Sequence, residues 1–429
     1  MNTFFSDYLS YSLLFVYYYP LFMSYIWMIG ASQYFLRWEY KKHESYQSAP
    51  KLPSYPAVSL IVPCHNEGDN VDETIQALAE QNYPNTEVIA VNDGSTDNTG
   101  QRLDELSLKY SNLRVVHLIE NQGKAMALRM GAMASPNEFL ICVDGDAILD
   151  PNATSWMMKH FLSGPNVGAV TGNPRIRTRS TLLGKIQVGE FSSIVGLIKR
   201  AQRIYGRIFS ISGVIAGFRK KALQSVDYWS VDAITEDIDI SWKLQMSHWD
   251  IRFEPNALCW ILMPETFTGL WKQRLRWAQG GMEVISRNIL NLRHWEHRRM
   301  WLLVIEYLIS VLWAYTIVAL FIIWISIQLL PQTGELNLFN LLPGSTSLAL
   351  VLTCLLQFAL SLFIDSRYEQ GIGKYYYWMI WFPLAFWLLN VFTTVVGVPK
   401  ALLRRRGQRA IWTSPDRGIR GIRRKNNEQ

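Results

Sequence analysis

Apolar stretches with almost no charge, long enough to cross a bilayer, lie at both ends of this 429-residue chain, and the region 50–300 between them has none. The first covers residues 11–36, and three more cover 301–330, 345–364 and 376–399. A cleaved signal peptide fits the first stretch poorly, because it is long and no basic residue precedes it. The pattern therefore predicts a soluble middle domain held between membrane-spanning segments.

Charge and aromatic content agree with that arrangement. Arg37, Lys41 and Lys42 follow the first stretch, so the positive-inside rule predicts that the middle domain faces the cytoplasm. The 17 Trp, 20 Tyr and 19 Phe suit membrane interfaces. From Lys400 onward ten basic and two acidic residues give +8, so the rest of the chain carries −1 of the total +7. A basic tail beside membrane spans favours an anionic membrane face and not a nucleic-acid groove.

The number of crossings after residue 300 stays open at this point. The middle domain and the tail should lie on the same side, which requires an even number, yet three stretches follow. Pro383 could break the last stretch into a re-entrant or interfacial piece, or 301–330 could be partly interfacial. Glu306 could line a polar path or lie in the headgroup region.

Strand and helix patterns alternate through the first part of the middle domain. The predicted strands are Val58–Val62, Val88–Val91, Leu113–Leu118 and Phe139–Val143, and the predicted helices are Asp69–Gln81, Asp97–Tyr110 and Lys124–Ala134. This alternation predicts an α/β fold with a mostly parallel sheet and helices on both faces.

Polar clusters follow three of the predicted strands, at 63–67, 92–97 and 144–146. Ligands of such sheets bind outside the carboxyl ends of the strands, so we expect these clusters to converge. Asp144 and Asp146, separated by a glycine, would be costly to bury without a counter-charge, and a divalent cation on a nucleotide diphosphate would supply it. Lys124 begins a helix, where it could bind the diphosphate or simply be solvated.

Further motifs complete an ordered set. Pro-Cys-His-Asn-Glu (63–67), Asn-Asp-Gly-Ser-Thr-Asp (92–97), Asp-Gly-Asp (144–146), Thr-Glu-Asp (235–237) and Gln-Arg-Leu-Arg-Trp (273–277) occur in this order. Together they resemble processive family 2 glycosyltransferases of GT-A fold, the group of the cellulose, chitin and hyaluronan synthases. Residues 171–180 and 184–189 resemble the bacterial members that make a β-1,6-linked N-acetylglucosamine polymer of biofilm matrix. The segment from Ser212–Gly213 to Gly217–Phe218–Arg219 resembles the one that borders the acceptor.

The resemblance implies a role for each motif. Asp237 would be the catalytic base, with Glu236 as its test neighbour and Asp239 as a second nearby acid. Asp146 would bind Mg²⁺ or Mn²⁺. The implied donor site consists of Pro63, Glu67, Asp93, Lys124 and Asp144. The implied acceptor and diphosphate site consists of Gln273, Arg276 and Trp277.

The implied activity is inverting, processive transfer from UDP-N-acetylglucosamine to a growing chain at the bacterial inner membrane, among membrane lipids and with a possible small membrane subunit. The expected divisions are a transmembrane helix and linker (1–50), a cytoplasmic GT-A domain (51–267), amphipathic interfacial helices (268–300), a membrane region (301–399) and a basic cytoplasmic tail (400–429). The alternatives are another β-linked polymer, transfer of one sugar to a lipid phosphate, and a degenerate transport or scaffold protein.

Overall fold

The computed structural model describes residues 3–40, 44–329, 344–405 and 407–410, and an eight-stranded sheet forms its centre. The strands are β1 (Val58–Cys64), β2 (Thr86–Asp93), β3 (Leu113–Leu118), β4 (Phe139–Val143), β5 (Ile148–Leu149), β6 (Val167–Ile176), β7 (Ile215–Arg219) and β8 (Asp250–Ile261). The helices of this domain are α2 (Val71–Ala79), α3 (Thr99–Lys109), α4 (Lys124–Ala134), α5 (Ala153–Leu162), α6 (Leu182–Phe191), α7 (Lys199–Tyr205), α8 (Lys220–Ser225) and α9 (Glu236–Met246), with π-helical residues Ser192–Ile198 between α6 and α7.

The strand order is β3-β2-β1-β4-β7-β6-β8-β5. The first four strands are parallel, β7 runs antiparallel to β4 and β6, β6 and β8 are parallel, and β5 is antiparallel to β8. The carboxyl ends of β1, β2 and β4 therefore meet at one edge, as the sequence predicts. The predicted α/β fold with a mostly parallel sheet is confirmed.

Each face of the sheet packs against its own helices. Leu60 of β1 belongs to a core that includes Ile75 of α2, whereas its neighbour Ile61 belongs to a core that includes Leu128 of α4. This follows from the alternation of side chains along a strand. A strand covered on both faces is a continuous apolar run, which is why β1 reads as one.

Four helices among the described residues are long and apolar enough to cross a membrane. They are α1 (Thr3–Tyr34), which continues as the π-helical Phe35–Glu39, and α11 (Arg298–Leu329), α12 (Gly344–Asp365) and α13 (Phe382–Leu403). Before α11 lie α10 (Phe267–Leu292), which contains the Gln-Arg-Leu-Arg-Trp motif, and the 3-10 turn Trp295–His297. Glu306 lies in the first third of α11, where its backbone carbonyl accepts a hydrogen bond from Tyr19 Oη.

The last apolar stretch is divided near Pro383. A 3-10 helix covers Ile372–Trp381, and α13 then begins at Phe382, with the proline in its first turn, where a missing N–H costs nothing. Asp365, at the end of α12, and Arg404, just after α13, both contact the central domain. The segment between them thus begins and ends against that domain.

A buried ionic cluster joins the membrane helices to the sheet domain. Arg200 of α7 contacts Glu39 (Nε–Oε1 2.7 Å) and Asp365 (Nη1–Oδ1 3.0 Å). Arg175 of β6 contacts the other oxygen of Asp365 at 2.8 Å, and Tyr368 Oη donates to Glu39 Oε2. Buried charges of this kind persist only when all are paired. The cluster therefore holds α1, α7, β6 and α12 in one arrangement.

Candidate active site

A cavity of about 710 Å³, hereafter the large cavity, opens at the edge of the sheet where β4 ends. Loops and helix starts from distant parts of the chain form its wall. The predicted site residues that line it are Lys124, Asp144, Asp146, Asp237, Gln273, Arg276 and Trp277. The other predicted residues, Pro63, Glu67 and Asp93, do not line it and lie among the buried residues behind it.

The loop after β4 places two carboxylates at the cavity. Gly145 allows the loop to pack closely on β1, because a Cβ there would lie 3.0 Å from the Pro63 carbonyl oxygen and 3.1 Å from Glu67 Cγ. The Gly145 carbonyl oxygen also accepts a hydrogen bond from Thr74 Oγ1. Pro63 and Glu67 therefore support the Asp144–Asp146 loop from beneath.

Lys124, the first residue of α4, lies at the centre of the charged groups. Its Nζ is 2.6 Å from Asp144 Oδ1 and 3.0 Å from Glu236 Oε1, and it donates to the Gly213 carbonyl oxygen. Burial disfavours the lysine's charge, but the two carboxylates outweigh burial and hold the pKa of Lys124 above its usual range. Lys124 is thus held between two carboxylates with little exposure to solvent, and it is not a solvated surface lysine.

Asp93 is fully buried at the end of β2. Its carboxylate accepts hydrogen bonds from the N–H groups of Gln122 (2.7 Å) and Gly123 (2.9 Å). Burial raises the pKa of Asp93, and these two bonds oppose the rise. Asp93 therefore fixes the turn that begins α4 and, through it, the position of Lys124.

Asp237 lies in the first turn of α9, with its carboxyl group beside Gly213. Burial, and then the negative charge of Glu236, raise the pKa of Asp237 to about 6. The same burial acts on Glu236, but Lys124 and Arg276 outweigh it and lower the pKa of Glu236. Adjacent carboxyl groups with separated pKa values are typical of acid–base sites. Asp239 does not line the large cavity.

Helix α10 brings the last motif to the same wall. A Cβ on Gly280 would lie 2.1 Å from Thr235 Oγ1, so glycine is what allows α10 to approach the start of α9. Arg274 is buried, its Nη2 lies 2.6 Å from Glu190 Oε2, and its guanidinium lies 4.2 Å from the centroid of the Trp277 ring. The ion pair and the cation–π contact hold Trp277 against the cavity.

A second cavity, of about 310 Å³ and hereafter the small cavity, shares part of this wall. Lys124, Glu236 and Arg276 line both cavities. The far wall of the small cavity comes from the start of the tail, where Arg409 donates to Gln122 Oε1 and Arg404 pairs with Glu283. The described start of the tail thus lies against the central domain, and residues 411–429 lie outside the described residues.

Sequence reasoning missed Lys199, which lines the large cavity and is buried. Its Nζ donates to Ser212 Oγ (2.6 Å) and Thr171 Oγ1 (3.2 Å). Burial lowers the pKa of Lys199 to about 7, against the opposing charge of Asp237. The sequence signal was a pair of cations, Lys199 and Arg200, directly after the apolar run 194–198. The Arg274–Glu190 pair had no comparable signal.

The carboxylates suit a divalent cation. Asp146 lines the large cavity beside Asp144, and hard carboxylate oxygens are the ligands that Mg²⁺ and Mn²⁺ prefer. Within the described ranges, no group of three or more His, Cys, Asp or Glu side chains could hold a metal ion. Asp144 and Asp146 offer carboxylate oxygens of the kind that bind Mg²⁺ through one or two carboxylates together with substrate phosphates.

The fold and site define a glycosyltransferase of GT-A type. Residues 59–227 match the model of the family "Glycosyl transferase family 2". A poly-beta-1,6-N-acetyl-D-glucosamine synthase of Staphylococcus epidermidis is 40% identical over 94% of this chain and 98% of its own length, and one of Staphylococcus aureus (strain MSSA476) is 38% identical over the same shares. The chain belongs to the poly-β-1,6-N-acetyl-D-glucosamine synthases of glycosyltransferase family 2. The fold is also similar to a mannosyltransferase from Pyrobaculum calidifontis, solved with GDP-Man and Mn²⁺ (TM-score 0.66, 19% identity, 92% and 99% of the two chains).

Proposed function

We propose that this chain polymerises N-acetylglucosamine from UDP-N-acetylglucosamine into a β-1,6-linked polysaccharide at a bacterial inner membrane. The observation that carries the proposal is the pair of joined cavities. Lys124, Glu236 and Arg276 form their common wall, and the Asp237 carboxyl group lies in the larger one. A donor whose diphosphate meets Lys124 and Arg276 has its nucleotide in the small cavity and its sugar in the large one.

The donor site is supported by charge. The leaving diphosphate gains negative charge as the sugar departs, and cations already in place stabilise that charge. Lys124 and Arg276 face both cavities, and Arg404 and Arg409 line the small one. Asp93, Pro63 and Glu67 act in this proposal by holding the α4 turn and the Asp144–Asp146 loop.

Asp237 is proposed as the general base. The acceptor hydroxyl oxygen attacks the anomeric carbon, its proton passes to the Asp237 carboxylate, and the bond from that carbon to the diphosphate oxygen breaks to release UDP. A pKa of about 6 suits this role, because the group is ionised at neutral pH yet basic enough to take a proton. One displacement inverts the centre, so an α-linked donor gives a β-linked product.

Asp146, with Asp144 beside it, would hold the divalent cation, which when bound neutralises diphosphate charge. Asp144 also holds Lys124 at 2.6 Å, so the same loop orients the cation at the common wall.

The acceptor would lie along the rest of the large cavity. The flat face of Trp277 can stack on a sugar ring, and Gln273 and Arg276 offer hydrogen bonds to its hydroxyl groups. Phe191, Ile194 and Val195 continue the wall towards the region where residues 192–198 pack on α12. A lengthening saccharide would thus leave the base in the direction of the membrane helices.

The membrane arrangement follows from contacts and charge. The central domain contacts the ends of α1, α12 and α13. Basic residues at these ends and at the start of α11 would face the cytoplasm by the positive-inside rule. We therefore propose that α1, α11 and α12 cross, that 268–300 and 372–381 lie at the interface, and that the segment from 366 to 403 returns to the cytoplasmic side. The divisions 1–50, 51–267, 268–300, 301–399 and 400–429 stay predictions.

The test uses membranes that contain the full chain, supplied with one labelled UDP-sugar at a time. We expect polymer from UDP-N-acetylglucosamine, sensitive to a β-1,6-specific N-acetylglucosaminidase and resistant to cellulase, chitinase and hyaluronidase. Removal of divalent cations by EDTA should stop incorporation, and added Mg²⁺ or Mn²⁺ should restore it. Incorporation from another UDP-sugar, or label confined to a lipid phosphate, would refute the proposal. Co-expression with a candidate small membrane subunit tests whether such a partner raises activity.

A further inference from the structure

A separate cavity of about 330 Å³ lies where α11 begins, and it shares no lining residue with the active-site cavities. We call it the junction cavity. Its wall comes from the loop after α7, the end of α9 and the first residues around the start of α11. The lining residues are Arg207, Gln245, His248, Glu296, His297, Arg298, Arg299 and Met300.

The wall is strongly cationic. Three arginines face one glutamate, and two imidazoles add hydrogen-bonding nitrogen atoms. The imidazole rings of His248 and His297 lie nearly parallel, with centroids 6.3 Å apart, and His297 Nε2 is 3.3 Å from Glu296 Oε1. One carboxylate does not neutralise three guanidinium groups, so the cavity suits an anion.

Arg207 shows most directly that the junction cavity has too few acceptors for its cations. Its Nη1 donates to the Trp249 carbonyl oxygen at 3.3 Å, whereas its buried Nε has no hydrogen-bond partner among the described residues. The nearest acid on the neighbouring strand, Asp250, is already engaged by Arg203 and Arg252. A buried donor without an acceptor costs free energy, and a bound anion would remove that cost.

The depth of the junction cavity identifies the source of the anion. The candidate membrane span that contains α11 begins at Trp295, within the stretch that lines the cavity. Trp295 is exposed and packs edge-on against Trp301, with ring centroids 5.5 Å apart, and Arg298 lies over the Trp295 ring. Tryptophans paired at the end of a span are typical of headgroup depth. An anion at this depth is the phosphate of a membrane lipid.

We propose that the junction cavity binds the phosphate group of an anionic phospholipid, such as phosphatidylglycerol. The inference rests on the proposed membrane location but not on the sugar or the reaction. Occupancy would tie the start of α11 to the central domain. It would also stabilise the contact of α11 with α10, where Tyr307 Oη donates to the Ala278 carbonyl oxygen one residue from Trp277.

The experiment measures lipid retention by the full chain in neutral detergent without UDP-sugar, so a failure of polymer synthesis does not affect it. The protein is mixed with phosphatidylglycerol or phosphatidylcholine, and retained lipid is counted by native mass spectrometry. We expect selective retention of phosphatidylglycerol. Arg207→Gln and Arg299→Gln should each weaken it about fivefold, the effect of one basic side chain near an anionic surface.

Arg293→Gln is the matched control, because Arg293 is exposed near the same junction but does not line the cavity. Equal losses in the control and in the cavity variants would overturn the site in favour of diffuse surface charge. A separate arm titrates inorganic phosphate alone. Phosphate binding without selective lipid retention would overturn the lipid assignment. Arg299 is exposed, so its variant gives a result even if Arg207→Gln folds poorly.

Discussion

The small cavity and the large cavity share three residues, yet their walls differ in origin. On the donor side, the ends of β1, β2 and β4 and the turn before α4 hold Lys124 and the Asp144–Asp146 loop, whereas the far wall of the small cavity comes from residues 404–410. The large cavity adds Phe191 of α6 and the π-helical residues 192–198 to the parts of α9 and α10 that both cavities use. The first is held mainly by backbone hydrogen bonds to carboxylates such as Asp93, and the second by buried side-chain pairs such as Glu190–Arg274. Substitutions in the large cavity should therefore leave nucleotide binding unchanged. Substitutions that affect only the small cavity should weaken nucleotide binding and leave the saccharide site intact.

The largest expected effect is at the base. Asp237→Asn should lower polymer formation by about 10²–10⁴-fold, the usual contribution of a positioned general base, while UDP still binds. Incorporation of labelled sugar and binding of labelled UDP measure the two sides separately. Polymer formation by this variant at the parental rate would show that the base is another group.

The same variant should not be unstable. The pKa of Asp237 is raised in the folded protein, so its contribution to stability is present at low pH and lost as the pH rises through about 6. At neutral pH the charged form therefore destabilises the fold, by about 3 kcal/mol for a shift of about two units. An unfolding midpoint for Asp237→Asn at or above that of the parent serves as the control for folding.

Arg274→Met tests the buried pair. Removing one partner leaves the Glu190 carboxylate buried without a counter-charge, so we expect a loss of about 3–5 kcal/mol in the free energy of unfolding. The double variant Glu190→Gln/Arg274→Met should recover most of the lost free energy of unfolding. Lys272→Met, an exposed lysine on the same helix, should change stability little. If Arg274→Met were as stable to unfolding as the parent, the Arg274–Glu190 pair would not be what stabilises this region.

Lys199→Met tests the saccharide side at a residue whose hydrogen bonds go to Ser212 and Thr171. Loss of the hydrogen bonds to Ser212 and Thr171 should reduce polymer formation about 10–100-fold, as expected for bonds from a buried charged donor. UDP binding should be unchanged. Lys221→Met, on the exposed surface of α8, is the matched control. A weaker UDP affinity in Lys199→Met would place this lysine on the donor side.

The pH profile gives a graded test. Because Asp237 must be ionised to take a proton, activity should fall below pH 6, by about tenfold for each further unit. The groups that set this limb are Glu236, Lys124 and Arg276, which face the carboxyl group. Glu236→Gln removes a negative neighbour and should move the limb to lower pH. If the acidic limb of the pH profile did not move in Glu236→Gln, the charge of Glu236 would not be a cause of the raised pKa of Asp237.

The smallest effect is expected at the tail. Arg409→Gln removes an exposed cation from the wall of the small cavity and should weaken UDP binding by no more than about fivefold, with polymer length unchanged. Lys400→Gln, exposed on α13 outside that wall, should have no effect. A loss much larger than fivefold in Arg409→Gln would mean that Arg409 contacts the nucleotide directly.

Structural elements that depend on residues close in sequence were predicted well. The bounds of β3, α4 and β4 coincide with the prediction, because their apolar periodicity and local breakers are read directly from the chain. Helix α9 begins at Glu236, where acids are favoured in the first turn of a helix. The expected contact of Asp93 and Glu67 with the donor stays a prediction. In the structure Asp93 accepts hydrogen bonds from the turn before α4 and Glu67 lies beside Gly145, and a strand-end motif alone does not distinguish a residue that touches a ligand from one that fixes the turn beside it.

Local pattern alone determined the alternating strands and helices, the acids at the strand ends and the apolar spans, because each depends on neighbours within one or two turns of chain. Tertiary structure decided how Pro383 divides the last span, that Lys124 is held between Asp144 and Glu236, and that Arg274 packs beneath Trp277 against Glu190. Those outcomes depend on burial and on charges brought together from distant segments. The energy of a buried charge is set by the partner that meets it in space.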